Sequence, residues 1–186
     1  MSLIDTFFNP DVIMSSLPAL LRGFLNTLLL GILSIGIGIP IGLGISLVRL
    51  YAPKPLRWLA VGYTDIFRAL PVLVVLILIY YALPFLGIRL SSWASAVTAF
   101  AFIMSAYSAE VFRSGIESIP KGQFEASQAL GLPFLLTLRK VVLPQAIRVV
   151  IPPMTSNCVS MFKDTSLAST VALPELLKEA TNAQSL

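Results

Sequence analysis

The sequence has no histidine and a single cysteine, Cys158, among its 186 residues. A disulfide within the chain is therefore impossible, and a zinc site built from cysteine and histidine is not expected. Charged residues are also scarce, at 12% of the chain, whereas soluble proteins average about 25%. An intramembrane enzyme is not expected, because no apolar segment presents a histidine base, a carboxylate pair or a Ser/Lys dyad.

A phosphate-binding loop of the form Gly-x-x-x-x-Gly-Lys-Ser/Thr is absent as well. The chain therefore has no recognisable means of binding ATP by itself. Its net charge of +4 could indicate nucleic acid as a partner if the protein were soluble. In so apolar a chain, basic residues are better explained as setting membrane topology, and no nucleic-acid partner is expected.

Hydrophobic residues make up 56% of the chain and form long uninterrupted runs. Three windows carry no charge, residues 23–48, 69–88 and 90–109, and each can supply the roughly 20 residues of a spanning helix. A fourth apolar stretch, 149–162, is too short to span and contains Pro152-Pro153; extended back across Arg148, it predicts an interrupted helix. We therefore predict an all-α bundle of transmembrane helices, one domain over residues 1–186.

The N-terminus carries Asp5 and Asp11 instead of the basic segment of a signal peptide, so we expect the first window to be a retained span. Basic residues are distributed unequally between the loops. Arg89 stands alone between the second and third windows, while the flanking loops hold Arg49, Lys54, Arg57 and Arg68, and then Arg113, Lys121, Arg139 and Lys140. The positive-inside rule predicts that loops 49–68 and 113–144 are cytoplasmic and that the N-terminus is outside.

Small residues recur every four positions in two of the windows. Ser34, Gly38, Gly42 and Ser46 form one stripe, and Ala101, Ser105 and Ala109 form another. Such stripes allow helices to approach closely, and we interpret both as helix packing and not as ligand sites.

The segment from Ile119 to Pro144 carries a spaced motif. Glu125 and Ala126 are followed by Gly131 and by Leu143-Pro144, which matches the pattern Glu-Ala-Ala, three residues, Gly, nine residues, Ile, one residue, Leu-Pro. Ser127 replaces the second Ala, and Val141 replaces the Ile. This segment resembles the cytoplasmic loop through which the membrane subunit of an ATP-binding cassette (ABC) importer docks on its ATPase.

The local sequence of this loop predicts a helix-turn-helix hairpin over about residues 114–143. Ser118 can cap the first helix, Pro120 suits its first turn, and Gly131 suits the left-handed residue that ends it. Leu132-Pro133 then opens a second helix that runs towards Leu143-Pro144. By the resemblance, the residues that dock on the ATPase are Lys121, Gly122, Gln123, Glu125, Ala126 and Gly131.

The resemblance continues along nearly the whole chain from about residue 20, and it points to the polar amino acid branch of these permeases. The matching segments are 67–71, 78–84, 106–116, 143–146 and 163–168. Members of the family have five spans, the last after a segment similar to residues 173–180. Because this sequence stops at Leu186, we expect the last span to be absent from it.

What the resemblance implies is a permease subunit that imports amino acids across the bacterial inner membrane. ATP and magnesium would bind to separate ATPase subunits, with no cofactor and no enzymatic activity on this chain. A second permease subunit, identical or homologous, and an extracytoplasmic amino-acid-binding protein would complete the complex. The sequence leaves the particular amino acid open. An ATP-independent secondary transporter or channel subunit is the alternative, but it does not explain the docking motif.

Polar residues at the end of the fourth apolar stretch are candidates for the substrate pathway. Asp164, Thr165 and Ser166 follow a proline-interrupted segment, where backbone and hydroxyl groups can meet a polar cargo. Asn157 lies on the same helix, and the family often has an acidic residue there, so its neutral side chain argues against a strictly cationic cargo. Lys163 alternatively marks this segment as an outer-surface anchor. Glu110 and Arg113 are interpreted as an interfacial ion pair.

The predicted orientation can be tested with single cysteines placed at Ser127 and at Ser91 in a background that lacks Cys158. An impermeant thiol reagent should label the first position only from the cytoplasm and the second only from outside. Labelling of both positions from one side would contradict the predicted topology.

Overall fold

The computed structural model describes residues 10 to 184, with side chains from residue 13 onward. Over this range the chain is helical without a strand, which confirms the all-α prediction. We label the helices α1 (Pro10–Tyr51), α2 (Lys54–Ala69), α3 (Val72–Ile77), α4 (Ser92–Glu117), α5 (Lys121–Ala129), α6 (Phe134–Thr137), α7 (Leu143–Asp164) and α8 (Leu176–Gln184). Asp5 lies outside the described residues, as does the side chain of Asp11.

Short segments of other helix types extend three of these helices. A π-helical turn (Leu78–Ala82) and a 3-10 turn (Leu83–Leu86) follow α3. A second π-helical turn (Leu138–Val142) joins α6 to α7, and a 3-10 segment (Thr165–Val171) follows α7.

Two helices are long and apolar enough to cross a membrane, Ile13–Tyr51 within α1 and Ser92–Glu117. They confirm the windows 23–48 and 90–109. The span over 69–88 stays a prediction. Its helical part, Val72–Leu86, follows α2, which ends at Ala69, after a bend of 107°. Leu70 is extended, as expected for a residue that precedes proline, and Pro71 cannot donate a backbone hydrogen bond. The bent pair counts as a third span only if its two parts cross together.

The prediction of an interrupted fourth helix is wrong. α7 runs from Leu143 to Asp164 without a break, with Pro152 and Pro153 inside it. The fixed φ of proline is compatible with a helix, so the two residues cost backbone hydrogen bonds without ending the helix. Both prolines are exposed at the helix surface, where their rings meet little steric resistance from other helices.

The chain divides into two compact units. One combines residues up to Ser34 with Val72–Phe100 and the residues from Met161 onward; the other combines Ile35–Pro71 with Ala101–Ser160. α1, α4 and α7 each contribute to both units.

In the second unit, the two predicted small-residue stripes pack against each other. A Cβ atom added to Gly42 would lie 2.6 Å from the Cβ of Ser108, and one added to Gly38 would lie 2.6 Å from the Cβ of Met104. Ser105 and Ala109 on the facing helix are completely buried. The stripes are therefore a packing interface between α1 and α4, as the sequence predicts.

In the first unit, the early part of α1 holds the segment that follows α7. Asn26 Nδ2 donates to the carbonyl oxygen of Pro174 at 2.7 Å, and the amide of Leu176 donates to Thr27 Oγ1 at 3.1 Å. Glu175 is buried and caps α8, because its carboxylate accepts bonds from the amides of Leu177 and Lys178. This segment is thus fixed at both its backbone and its side chains.

Candidate functional site

The loop with the spaced motif forms the predicted hairpin, with a turn built on glycine. α5 ends at Ala129, and Gly131 adopts a left-handed conformation with φ of +70°. The Gly131 amide donates to the carbonyl of Gln128 at 2.9 Å, and the Leu132 amide donates to the carbonyl of Ser127 at 3.0 Å. These two bonds form a Schellman motif, in which glycine avoids the strain of a side chain at positive φ.

The predicted start of the hairpin is wrong in one detail. Ser118 does not cap α5, because its hydroxyl donates to the carbonyl of Gly115 in the preceding helix at 2.7 Å. The residue before α5 is Pro120, and the amide of Gln123 donates to its carbonyl at 2.9 Å. Proline provides the extended entry to the helix without a side-chain cap.

The second arm of the hairpin runs towards Leu143-Pro144, as the sequence predicts, and continues beyond these residues. α6 continues through the π-helical turn directly into α7. Pro144 removes one backbone donor, and the wider π turn before it accommodates this loss. Gln145 Nε2 donates to the carbonyl of Val141 at 2.8 Å and to Gln123 Oε1 at 3.2 Å, so it ties α7 to α5.

A small apolar core lies beneath the hairpin. It joins both arms to the last turns of α4, where Ile116 is buried, and to the end of α1 through Leu47 and Leu50. Its buried members are Ile116, Ile119, Leu138, Val142 and Ala146, with Phe124 and Leu143 packed against them. The hairpin is therefore held by helix packing and not by its turn alone.

The outward surface of the hairpin carries the predicted docking residues. All six are exposed: Lys121, Gly122, Gln123, Glu125, Ala126 and Gly131. Two exposed apolar side chains, Leu130 and Leu135, stand beside them at 79% and 73% exposure. Ser127, one of the two departures from the motif, is buried, and its hydroxyl donates to the Gln123 carbonyl within the same helix, so it packs as a small residue.

The carboxylate of Glu110 forms ion pairs with three arginines from three helices. Arg49 Nη1 of α1 lies 2.8 Å from its carboxylate, Arg68 Nη1 of α2 lies 3.5 Å away, and Arg113 of α4 pairs with the other oxygen. The Arg49 side chain is only 12% exposed and also donates to Thr64 Oγ1 at 2.9 Å. The sequence predicted the pair with Arg113 but missed Arg49 and Arg68, although both stand at the borders of charge-free windows.

The four candidate pathway residues have different environments. Thr165 is buried and its hydroxyl donates to the carbonyl of Phe162 at 2.6 Å, while Ser166 donates to the carbonyl of Lys163 at 2.8 Å. Asp164 is half-buried, and no basic side chain among residues 13–184 lies within ion-pair distance of it. Asn157 is half-buried on α7. The same described residues contain no cluster of three side chains suited to a metal ion.

Comparison with known proteins agrees with this geometry. Residues 34–186 match the family described as "Binding-protein-dependent transport system inner membrane component". This chain belongs to that family. It is a permease subunit of an ABC importer and an integral protein of the inner membrane.

Individual relatives cover most of the chain. The probable amino-acid ABC transporter permease protein YckA of Bacillus subtilis (strain 168) is 39% identical over 95% of this chain and 78% of its own length. The L-cystine transport system permease protein TcyB of the same organism is 41% identical over 88% of this chain and 70% of its own length. A crystal structure of an amino acid ABC transporter with histidines superimposes with a TM-score of 0.85, at 33% identity, over 94% of this chain and 81% of that one.

The arginine network of this permease yields a matched pair of substitutions. Glu110→Gln leaves the nearly buried Arg49 without its counter-charge, so we expect the free energy of unfolding to fall by about 3 kcal/mol. Glu117→Gln removes a half-exposed carboxylate that also pairs with Arg113, and should cost less than about 1 kcal/mol. Denaturant unfolding in detergent would measure both. Equal losses for the two variants would show that Glu110 is not the centre of the network.

Proposed function

We propose that this permease imports polar amino acids and that its α5–α6 hairpin is the contact point for a separate ATPase. The observation that carries the proposal is the hairpin itself. The spacing of its motif residues matches the docking loop of ABC importers. Its inner side is packed on α1, α4 and α7, and the six predicted docking residues are exposed. The amino-acid cargo is inferred from relatives such as YckA and TcyB, whose names identify them as amino-acid permeases or as a cystine permease.

In this proposal, separate partner subunits hydrolyse ATP. ATP and magnesium bind to two ATPase subunits on the cytoplasmic side, and a second permease subunit, identical or homologous, completes the pathway. A binding protein delivers the amino acid from outside. The chain itself supplies the spans and the hairpin, and it contributes neither a cofactor nor a catalytic residue.

Coupling in this scheme is mechanical. The ATPases approach each other when they bind ATP, and the hairpin follows the surface on which it is docked. Because the core beneath the hairpin includes residues of α1, α4 and α7, a displacement of the hairpin displaces the ends of these helices too. A flexible loop would absorb the same movement, which is why the buried core favours this proposal over an ATP-independent channel.

Charge reversal at Glu125 tests the docking surface. Glu125 is exposed and makes no ion pair within the described chain, so Glu125→Lys should leave the fold intact. We expect its affinity for the ATPase subunits to fall about tenfold or more, with a matching loss of ATP-driven uptake in vesicles. Arg89→Glu, an exposed reversal far along the chain from the hairpin, is the control.

Normal ATPase affinity and normal uptake in Glu125→Lys would contradict the assigned surface. Gly131→Asp is a second test of the docking surface, because a side chain at φ of +70° costs about 1 kcal/mol and distorts the turn. This variant should bind the ATPase weakly or hydrolyse ATP without uptake.

We propose Asp164 as the main contact of the cargo in the substrate pathway. A half-buried carboxylate without a basic partner suits contact with the ammonium group that every amino acid carries. Thr165 is almost completely buried, so we propose that it shapes the backbone of the pathway without contacting the cargo. Ser166, whose hydroxyl oxygen can still accept a hydrogen bond, and Asn157 on α7 are half-buried and are further proposed contacts of the cargo.

Asp164→Asn removes the charge and keeps the shape. We expect a change in uptake rate or in amino-acid preference while the ATPase subunits still assemble normally. Lys163→Gln, which changes the exposed neighbouring charge, is the control. Unchanged transport of every tested amino acid by Asp164→Asn would assign Asp164 to the protein surface.

A further inference from the structure

α2 has two features that neither docking nor transport explains. It is an amphipathic helix of 16 residues, about 24 Å long, which is too short to span a bilayer alone. One face packs within the protein, where Ala60 and Thr64 are buried and the hydroxyls of Tyr63 and Ser105 lie 2.6 Å apart. Other side chains of α2 are exposed, among them Trp58, Leu59 and Ile66.

The first exposed flank of α2 is basic. Lys54, Arg57, Trp58 and Val61 line a surface groove of about 350 Å³. Neither Lys54 nor Arg57 forms an ion pair with any side chain among residues 13–184. Trp58 is 71% exposed beside them. Asp65, the one acidic residue of α2, is exposed on the same side of the helix, four residues beyond Val61, and does not line the groove.

The other exposed flank is apolar. Leu59 and Ile66 are 70% and 57% exposed, and at about 100° per residue they lie on the side of the helix away from Lys54 and Arg57. A helix with a basic flank, an apolar flank and an exposed tryptophan is suited to the boundary between lipid headgroups and acyl chains.

The position of α2 in the chain places it at that boundary. The charge-free part of α1 ends at Arg49, and α2 begins only five residues later, after Pro53. α1 is long and apolar enough to cross the membrane, and we therefore place its charged end near one membrane surface. The start of α2, with its basic groove, therefore lies at the level of the lipid phosphates.

We propose that the groove formed by Lys54, Arg57 and Trp58 binds the headgroup of an anionic phospholipid. The two cations meet the phosphate and the negative headgroup, and the indole ring of Trp58 lies among the upper acyl carbons. Selectivity for anionic over zwitterionic lipid should be modest, because each cation near the surface contributes only about fivefold. This site is independent of the hairpin and does not require the proposed docking to be correct.

Tryptophan fluorescence can test the site directly, since Trp58 and Trp93 are the two tryptophans of the chain. In a Trp93→Phe background, the full chain would be reconstituted in vesicles that contain either brominated phosphatidylglycerol or brominated phosphatidylcholine. Both leaflets carry the lipid, so protein orientation does not matter. We expect stronger quenching by the anionic lipid, with a relative association constant of roughly 5- to 30-fold.

Two charge variants distinguish binding at this groove from nonspecific attraction between a basic protein and anionic lipid. Lys54→Gln/Arg57→Gln should reduce the lipid preference to about one, while Arg89→Gln, which removes a basic residue elsewhere, should leave it unchanged. A preference that survives the double substitution would overturn the proposal. The reciprocal Trp58→Phe background, in which Trp93 is the reporter, should show no response to the double substitution.

The remaining outcomes identify other occupants. If neither brominated lipid quenches Trp58, protein covers this face and the proposal is wrong. If inorganic phosphate abolishes the preference for phosphatidylglycerol at unchanged ionic strength, the groove binds a soluble anion in place of a lipid, which also rejects it.

Discussion

Pairing of the Glu110 carboxylate is the interaction on which the second unit depends. A charge that is largely withdrawn from water is costly unless it is neutralised, and here one carboxylate meets arginines from α1, α2 and α4. The three contacts are not equivalent. Arg49 is nearly buried and close, whereas Arg68 is 38% exposed, 3.5 Å away and 5.9 Å from the ring centre of Tyr107. Arg68 is thus the weakest of the three partners of Glu110.

The hairpin depends on two of the same helices. Leu47 and Leu50 flank Arg49 on α1, and Ile116 lies less than two turns beyond Glu110 on α4. Apolar packing under the hairpin and ion pairing at Glu110 therefore reinforce the same pair of helices, whose small-residue stripes also interlock. Because the hairpin is packed on α1 and α4, and these two helices are packed on each other, a displacement of the hairpin should displace both helices. This is the physical basis for proposing that ATP-driven movement reaches the spans.

Local and periodic features were predictable from the sequence, whereas distant contacts were not. Gly131 was placed correctly because a helix end at positive φ has a residue signature. Ser118 was assigned wrongly as a cap because its hydroxyl had two backbone choices, and it bonds to the helix behind it. The partnership of Arg49 with Glu110 joins residues 61 positions apart, and no local pattern encodes such a distance. The bend after Ala69 lies at Pro71, but a proline in a sequence does not encode the angle of the bend.

The rigid attachment of the hairpin to the helices is most directly tested by hydrogen–deuterium exchange of its backbone amides. The informative positions are the α5 amides from Gln123 to Ala129 and the amide of Leu132, which closes the turn on Ser127. We expect these amides to exchange as slowly as those at the end of α4, because the hairpin and the end of α4 share one buried core that includes Ile116 and Val142. Rapid exchange of the hairpin while the end of α4 remains protected would contradict a rigid lever.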